Sequence, residues 1–383
     1  MALTATVLAA TDATHGTELW ITDGTAGGTR LVKDIRTGGW SSVPGYFTAL
    51  GDGRVVFQAF DAATGRELWV TDGTEGGTSL VKDIWAGASG AYPGNLFALG
   101  DGRVLFRADD GLNGRELWVT DGTAGGTRLV KDIRAGSDSS YPSAFTGLGD
   151  GRALFRADDG ANGVELWVTD GTEAGTHLVK DIRGGPDSGF PYKIAAVGGG
   201  LAMFGADDGR AFSTWITDGT EAGTVKFSTI FPGSEASIPY EAGALGDGRV
   251  VFRGVDNVTG AELWVTDGTA AGTARVKDIQ SGDQSGDPEN FIALGNGRVL
   301  FTADDGPTGI ELWTTDGTAA GTMRVKDIQG EAGVGSDPSS LTALGNGKVL
   351  FNADDGVNGR ELWTTDGTAA GTRLVKVVRR QML

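Results

Sequence analysis

The chain has 383 residues, 66 of them glycine and 10 proline, with no cysteine and a formal net charge of −18. That charge opposes binding to nucleic acid or to an anionic membrane surface, both of which need basic side chains. The absence of cysteine removes disulfides, thiol catalysis and thiolate metal sites. With 39% hydrophobic residues there is enough apolar material for a packed core, and no run nears the ~20 apolar residues of a membrane-spanning helix.

The chain opens MALTATVLAATD, which lacks the basic start of a signal peptide and reads directly into a strand. The octapeptide ELWITDGT follows at 18–25, and ELWVTDGT appears at 67–74, 116–123, 165–172 and 262–269. The motif tryptophans are Trp20, Trp69, Trp118, Trp167, Trp215, Trp264, Trp313 and Trp363, spaced by 49, 49, 49, 48, 49, 49 and 50 residues. Eight repeats of this period point to a solenoid, a propeller or an array.

One repeat shows the elements in order. AFTGLG (144–149), ALFRAD (153–158), VELWVTD (164–170) and HLVKDI (177–182) are short apolar runs separated by DGR, DGANG and GTEAGT. Runs of this length, bounded by Gly and Asp, predict four antiparallel strands joined by tight turns. Leu166 and Val168 alternate with Trp167, so both faces of the third strand are apolar, as a sheet packed between two neighbours requires. The expected fold is all-β, an eight-bladed β-propeller with four antiparallel strands per blade, formed by residues 1–383 as one domain of eight ~49-residue repeats.

The pattern ELWxTDGTxxGTxxVKDI is similar to the ELWxxDGT repeats of bacterial, mostly extracellular proteins, over nearly the whole chain. The strand order also resembles TolB-like propeller blades. The resemblance implies a propeller at an extracellular or cell-surface location, with a cytoplasmic one left open, and implies no particular activity.

Residue by residue the motif reads as structural. Trp supplies buried area, Asp-Gly makes the turn, and Thr adds a hydroxyl bond. Glu116 and Glu165 are expected to pair with Lys131 and Lys180 of VKD across the hairpin. The first turn, GDG, GNG or GGG, is a hairpin device.

Variation gathers on one side of the blade, in the turn between second and third strands and in the long connection to the next repeat. The turn is acidic, as in ADDGLNG (108–114). Its carboxylates, Asp109, Asp110, Asp158, Asp159, Asp304, Asp305, Asp354 and Asp355, are read as caps of their own turns, with calcium ligation as the alternative. The connections carry Trp40, Trp85, Tyr92, Tyr141 and Tyr192, with Phe190 and Tyr240 beside them. These aromatics are candidates to stack on a sugar or anchor a protein, against a packing role over the blade edge.

The fifth repeat departs from the rest: STW replaces ELW at 213–215, FSTI replaces VKDI at 227–230, and phenylalanine is enriched. Ring closure is expected either through a shortened first strand in the first blade or through pairing of the C-terminal tail. His15 and His177 are isolated, and no GxSxG, HExxH or phosphate loop stands in a strand–helix context. The expected function is therefore a non-catalytic, multivalent binding module for glycan or protein, with no cofactor or with calcium alone, and without nucleic acid or membrane insertion. The alternatives are a scaffold and a glycoside-acting hydrolase.

Overall fold

The computed structural model describes residues 6–229, 231–232, 235–236, 242–256, 258–344 and 347–376. The expected ring closure and Tyr240 lie outside these residues. The fold is all-β, with eight antiparallel sheets in series, one per repeat, the arrangement of an eight-bladed β-propeller. Six sheets have four strands in sequence order, the first has three described strands, and the sixth adds a short extra strand. The only described helix is a single 3-10 turn at Phe227–Thr229.

Two compact units divide the chain. The first comprises residues 1–192 and 207–211, and the second comprises 193–206 and 212–383. In the first unit Trp118 joins a core with Val56, Leu68 and Val70 of the preceding sheet. Its neighbours Leu117 and Val119 point the other way and join Phe155 and Trp167 of the following sheet. The alternating apolar pattern thus buries both sheet faces, as a central strand between two layers must. The second unit repeats the arrangement with Leu263, Val265, Phe301 and Trp313. All eight motif indole nitrogens are buried without a hydrogen-bond partner, so these tryptophans contribute area and not their polar edge.

The octapeptide closes on itself. Thr123 donates its backbone N–H (2.9 Å) and its hydroxyl (2.7 Å) to Asp121 Oδ1, and the Gly126 N–H donates to Thr123 Oγ1 at 3.0 Å. Thr127 Oγ1 donates to the Thr123 carbonyl at 2.7 Å. A Cβ on Gly126 would lie 2.1 Å from the Asp121 carboxyl group, which accounts for the second glycine of GTxxGT.

The motif glutamate does not pair with the VKD lysine. Glu116 Oε2 accepts the Ile133 N–H (2.9 Å) and the Ser140 hydroxyl (2.5 Å), and Oε1 accepts the Ser140 N–H (2.8 Å). Lys131 Nζ instead donates to the Thr176 carbonyl of the next sheet at 3.0 Å, as Lys33 and Lys82 do to Thr78 and Thr127. The register explains the correction: a bulge at Leu117/Trp118 sets Lys131 opposite Leu117, while Glu116 pairs with Ala108. The glutamate is fully buried and faces the connection, where unpaired N–H groups need an acceptor.

The fifth repeat is a repacked one. Phe227 and Phe231 are buried, and Phe231 meets Trp264 edge-on at 4.9 Å between ring centroids. Gly254 stands where other repeats carry Ala108, Ala157 or Ala303, and a Cβ there would lie 2.7 Å from Phe231. The added phenylalanine and the lost methyl compensate each other in volume.

Gly126→Ala should destabilise the fold by about 1–3 kcal/mol, the usual range for forced overpacking. Gly125→Ala should be near neutral, because a Cβ there meets nothing within 4 Å and Ala174 already fills the same place in the next repeat. Urea unfolding of the two variants side by side checks this.

Candidate functional site

The connection between successive sheets is stitched on both sides. The Tyr92 N–H donates to the Arg66 carbonyl (3.0 Å), and the Ala91 carbonyl accepts from Asp109 N–H in the next sheet (3.0 Å). The same pair of bonds recurs at Val43, Tyr141 and Phe190. Each of these residues precedes a proline yet has a positive φ: 47° at Val43, 51° at Tyr92 and Tyr141, 48° at Phe190. A residue before proline ordinarily takes extended backbone, and left-handed backbone is costly for bulky and β-branched side chains. The bonds to both neighbouring sheets hold the conformation. Its effect is to turn the side chain outward: Val43, Tyr92, Tyr141 and Phe190 are 47%, 50%, 54% and 51% exposed.

The other aromatics divide. Trp40 is 66% exposed, with the Arg36 guanidinium 5.0 Å from its ring centroid. Tyr192 is partly exposed at the start of a first strand. Trp85 packs against the core of its unit, with its ring within 2.7 Å of where a Gly111 Cβ would stand. It occupies the position of Arg134, whose guanidinium lies over Gly160 in the following repeat.

The acidic turns are occupied by their own backbones. Asp110 Oδ1 accepts the N–H groups of Leu112 (2.9 Å) and Asn113 (2.8 Å), and Oδ2 accepts Asn113 Nδ2 (2.8 Å). Asp159 and Asp355 repeat the set with Asn162 and Asn358, and Asp305 Oδ1 accepts the Thr308 N–H and hydroxyl. Asp109, Asp158, Asp304 and Asp354 each accept the N–H of the glycine two residues on. Arg134 adds an ion pair to Asp158 at 2.6 Å. Among the described residues no group of three or more acidic or histidine side chains is placed to hold a metal ion.

His15 fills the asparagine position of these turns. Its Nδ1 lies 2.8 Å from Asp12 Oδ2, and this contact raises the imidazole above its ordinary pKa. The nearby Ser41 hydroxyl accepts the Thr17 N–H, a bond repeated by Ser139 and Ser188 in later repeats. The histidine, the acid and the serine thus each occupy a repeated structural place. Burial pushes the motif glutamates Glu67, Glu116, Glu165 and Glu262 up to about 7 and raises Glu311 as well, against the N–H donors that favour the charged form.

No family model matches the chain, and no curated protein matches it. Among solved structures it is similar to puromycin hydrolase at 14% identity, covering 92% of this chain and 57% of that one with a TM-score of 0.36. It is also similar to a structure from a study of two prolyl endopeptidases, at 12% identity, 90% and 51% coverage and a TM-score of 0.41. A putative TolB from Agrobacterium tumefaciens matches at 12% identity, covering 65% of this chain and 84% of that one, with a TM-score of 0.34. The chain therefore spans little more than half the length of the hydrolases it resembles. The expectation of a non-catalytic glycan- or protein-binding module, a scaffold or a glycoside-acting hydrolase is corrected: the similar solved structures are of puromycin hydrolase, peptidases and TolB proteins, at 12–15% identity. No described helix is long and apolar enough to cross a membrane.

Glu116→Ala leaves the buried N–H groups of Ile133 and Ser140 without acceptors and should cost about 3 kcal/mol in urea unfolding. The raised glutamates also set a pH dependence. Between pH 4.5 and about 7 the folded chain holds protons that the unfolded chain has released, so stability falls as pH rises through that window. The thermal midpoint should be higher at pH 5 than at pH 7.5.

Proposed function

We propose that this chain is the substrate-side propeller of a peptidase-type hydrolase, receiving polypeptide and leaving bond cleavage to groups outside the described residues. The observation that carries this reading is the set Val43, Tyr92, Tyr141 and Phe190: equivalent positions in four successive connections, each held left-handed and turned half out of the fold. Strained, outward-facing bulky residues that the surrounding bonds over-determine are a feature of functional surfaces. Rigid aromatics lose little side-chain entropy on contact and suit a polypeptide of varied sequence. His15 and the repeated turn aspartates are engaged in their own turns, which favours a receiving role over a reacting one.

Seven of the eight motifs read ELWxTDGT, which supports membership of the ELWxxDGT-repeat proteins and, with it, an extracellular or cell-surface location. The single-domain reading of all eight repeats stands as part of the same proposal.

Replacing Tyr92, Tyr141 and Phe190 together by asparagine, which tolerates positive φ, should leave the thermal midpoint unchanged or slightly raised. It should weaken binding of an unstructured, fluorescently labelled peptide by about tenfold or more, roughly 1.4 kcal/mol. The chain itself should release no chromophore from aminoacyl-4-nitroanilides. Unchanged peptide binding in the triple variant, or hydrolysis by the chain alone, would contradict the proposal.

A further inference from the structure

In the second unit the corresponding positions carry different chemistry. The residues before proline are Asp287 and Asp337, still left-handed at φ 41° and 47°. On the second strand, Arg156 of the first unit donates to Ser143 Oγ at 3.0 Å. The matching place, opposite Glu289, holds the shorter Thr302. The arginine that pairs with Asp158 in the first unit is replaced by Gln280 ahead of Asp304. Asp287, Asp337 and Thr302, which stand where the first unit has bulky side chains and a cation, line an open cleft of about 500 Å³.

The cleft is asymmetric. Asp287, Glu289, Asp304 and Asp337 bring carboxylates to its lining, and Arg360 brings one guanidinium. Asp287 is shared with Arg253 at 2.8 Å, and Arg360 is directed to Ser339 Oγ at 2.7 Å. Asp304 spends Oδ1 on the Gly306 N–H at 2.7 Å. Ile310, 42% exposed, adds an apolar wall. The carboxylates are distributed around a space large enough for several carbon atoms, and they do not form a metal-holding group of three among the described residues. A compact, strongly hydrated cation on an aliphatic stem fits such a lining: the charge meets oxygen acceptors and the stem meets Ile310.

We propose that this cleft binds a primary ammonium group carried on a short aliphatic or peptide chain. The chemistry is common to a peptide N-terminus and a free diamine. The choice of the peptide N-terminus rests on the function proposed above; the ammonium site does not.

Isothermal titration with Gly-Gly-Gly, N-acetyl-Gly-Gly-Gly, putrescine and calcium chloride tests it. Gly-Gly-Gly should bind, and acetylation should weaken it at least tenfold. Glu289→Gln and Thr302→Arg, the latter restoring the side chain of the first unit, should each weaken Gly-Gly-Gly at least threefold. Circular dichroism melts check that both variants are folded, and Glu289→Gln at an exposed position keeps the test open should Thr302→Arg unfold. Binding of putrescine but not Gly-Gly-Gly, with the same loss in Glu289→Gln, would support the ammonium site and count against the peptide reading. Equal binding of the acetylated peptide, displacement of both amines by calcium, or no heat with any probe at millimolar concentration would overturn the proposal.

Discussion

The fold depends on what becomes of the backbone N–H groups where the chain leaves one sheet for the next. These connections are not strands, yet their first residues are buried, and a buried donor without an acceptor costs about as much as a lost core methyl or more. The motif glutamate answers this by bringing a carboxylate into the blade. Glu18 accepts from Ile35 and Ser42, Glu116 from Ile133 and Ser140, and Glu262 from Ile279 and Gly286. Desolvation of that carboxylate is the opposing effect, and it shows in the raised pKa of five of the set. Repetition then follows: the glutamate recurs in seven of the eight repeats, and only the fifth replaces ELW by STW.

The same connections connect architecture to function. Because they are clamped to both neighbours, they can sustain left-handed residues before proline, and those residues display whatever side chain the repeat supplies. The first unit supplies Val, Tyr, Tyr and Phe; the second supplies Asp287 and Asp337. One scaffold geometry thus presents an apolar series in one unit and an acidic cleft in the other, with no change in strand register. What these positions display varies by exchange of side chains on a fixed backbone.

Much of the architecture was legible in the sequence. The tryptophan spacing, the Gly-Asp turns and the two apolar faces around Trp167 lead to the sheets that are observed. The partner of the motif glutamate was missed because it lies 24 residues downstream, beyond any hairpin. A signal was nonetheless present, since Ser42 and Ser140 recur at a fixed interval after Glu18 and Glu116. Trp85 looked aperiodic as a tryptophan, but its position is periodic: it replaces the arginine of DIR, and its ring covers the next turn as that arginine does. The outward display of Tyr141 and Phe190 could not be read from sequence, because proline biases the preceding residue toward extended backbone. Only bonds to two separate sheets reverse that bias. The acidic cleft was likewise hidden, since its lining residues Asp287, Thr302 and Asp337 come together only across adjacent sheets.

The central claim is that buried carboxylates anchor the connections as firmly as the strands themselves. Amide hydrogen exchange read residue by residue tests it most directly. The N–H groups of Ile133, Ser140, Gly189 and Gly286 should exchange as slowly as those of the neighbouring third strands, although they lie outside any strand. Exchange at the rate of exposed loops, with the strands still protected, would show that the glutamates do not hold the connections and would contradict the account.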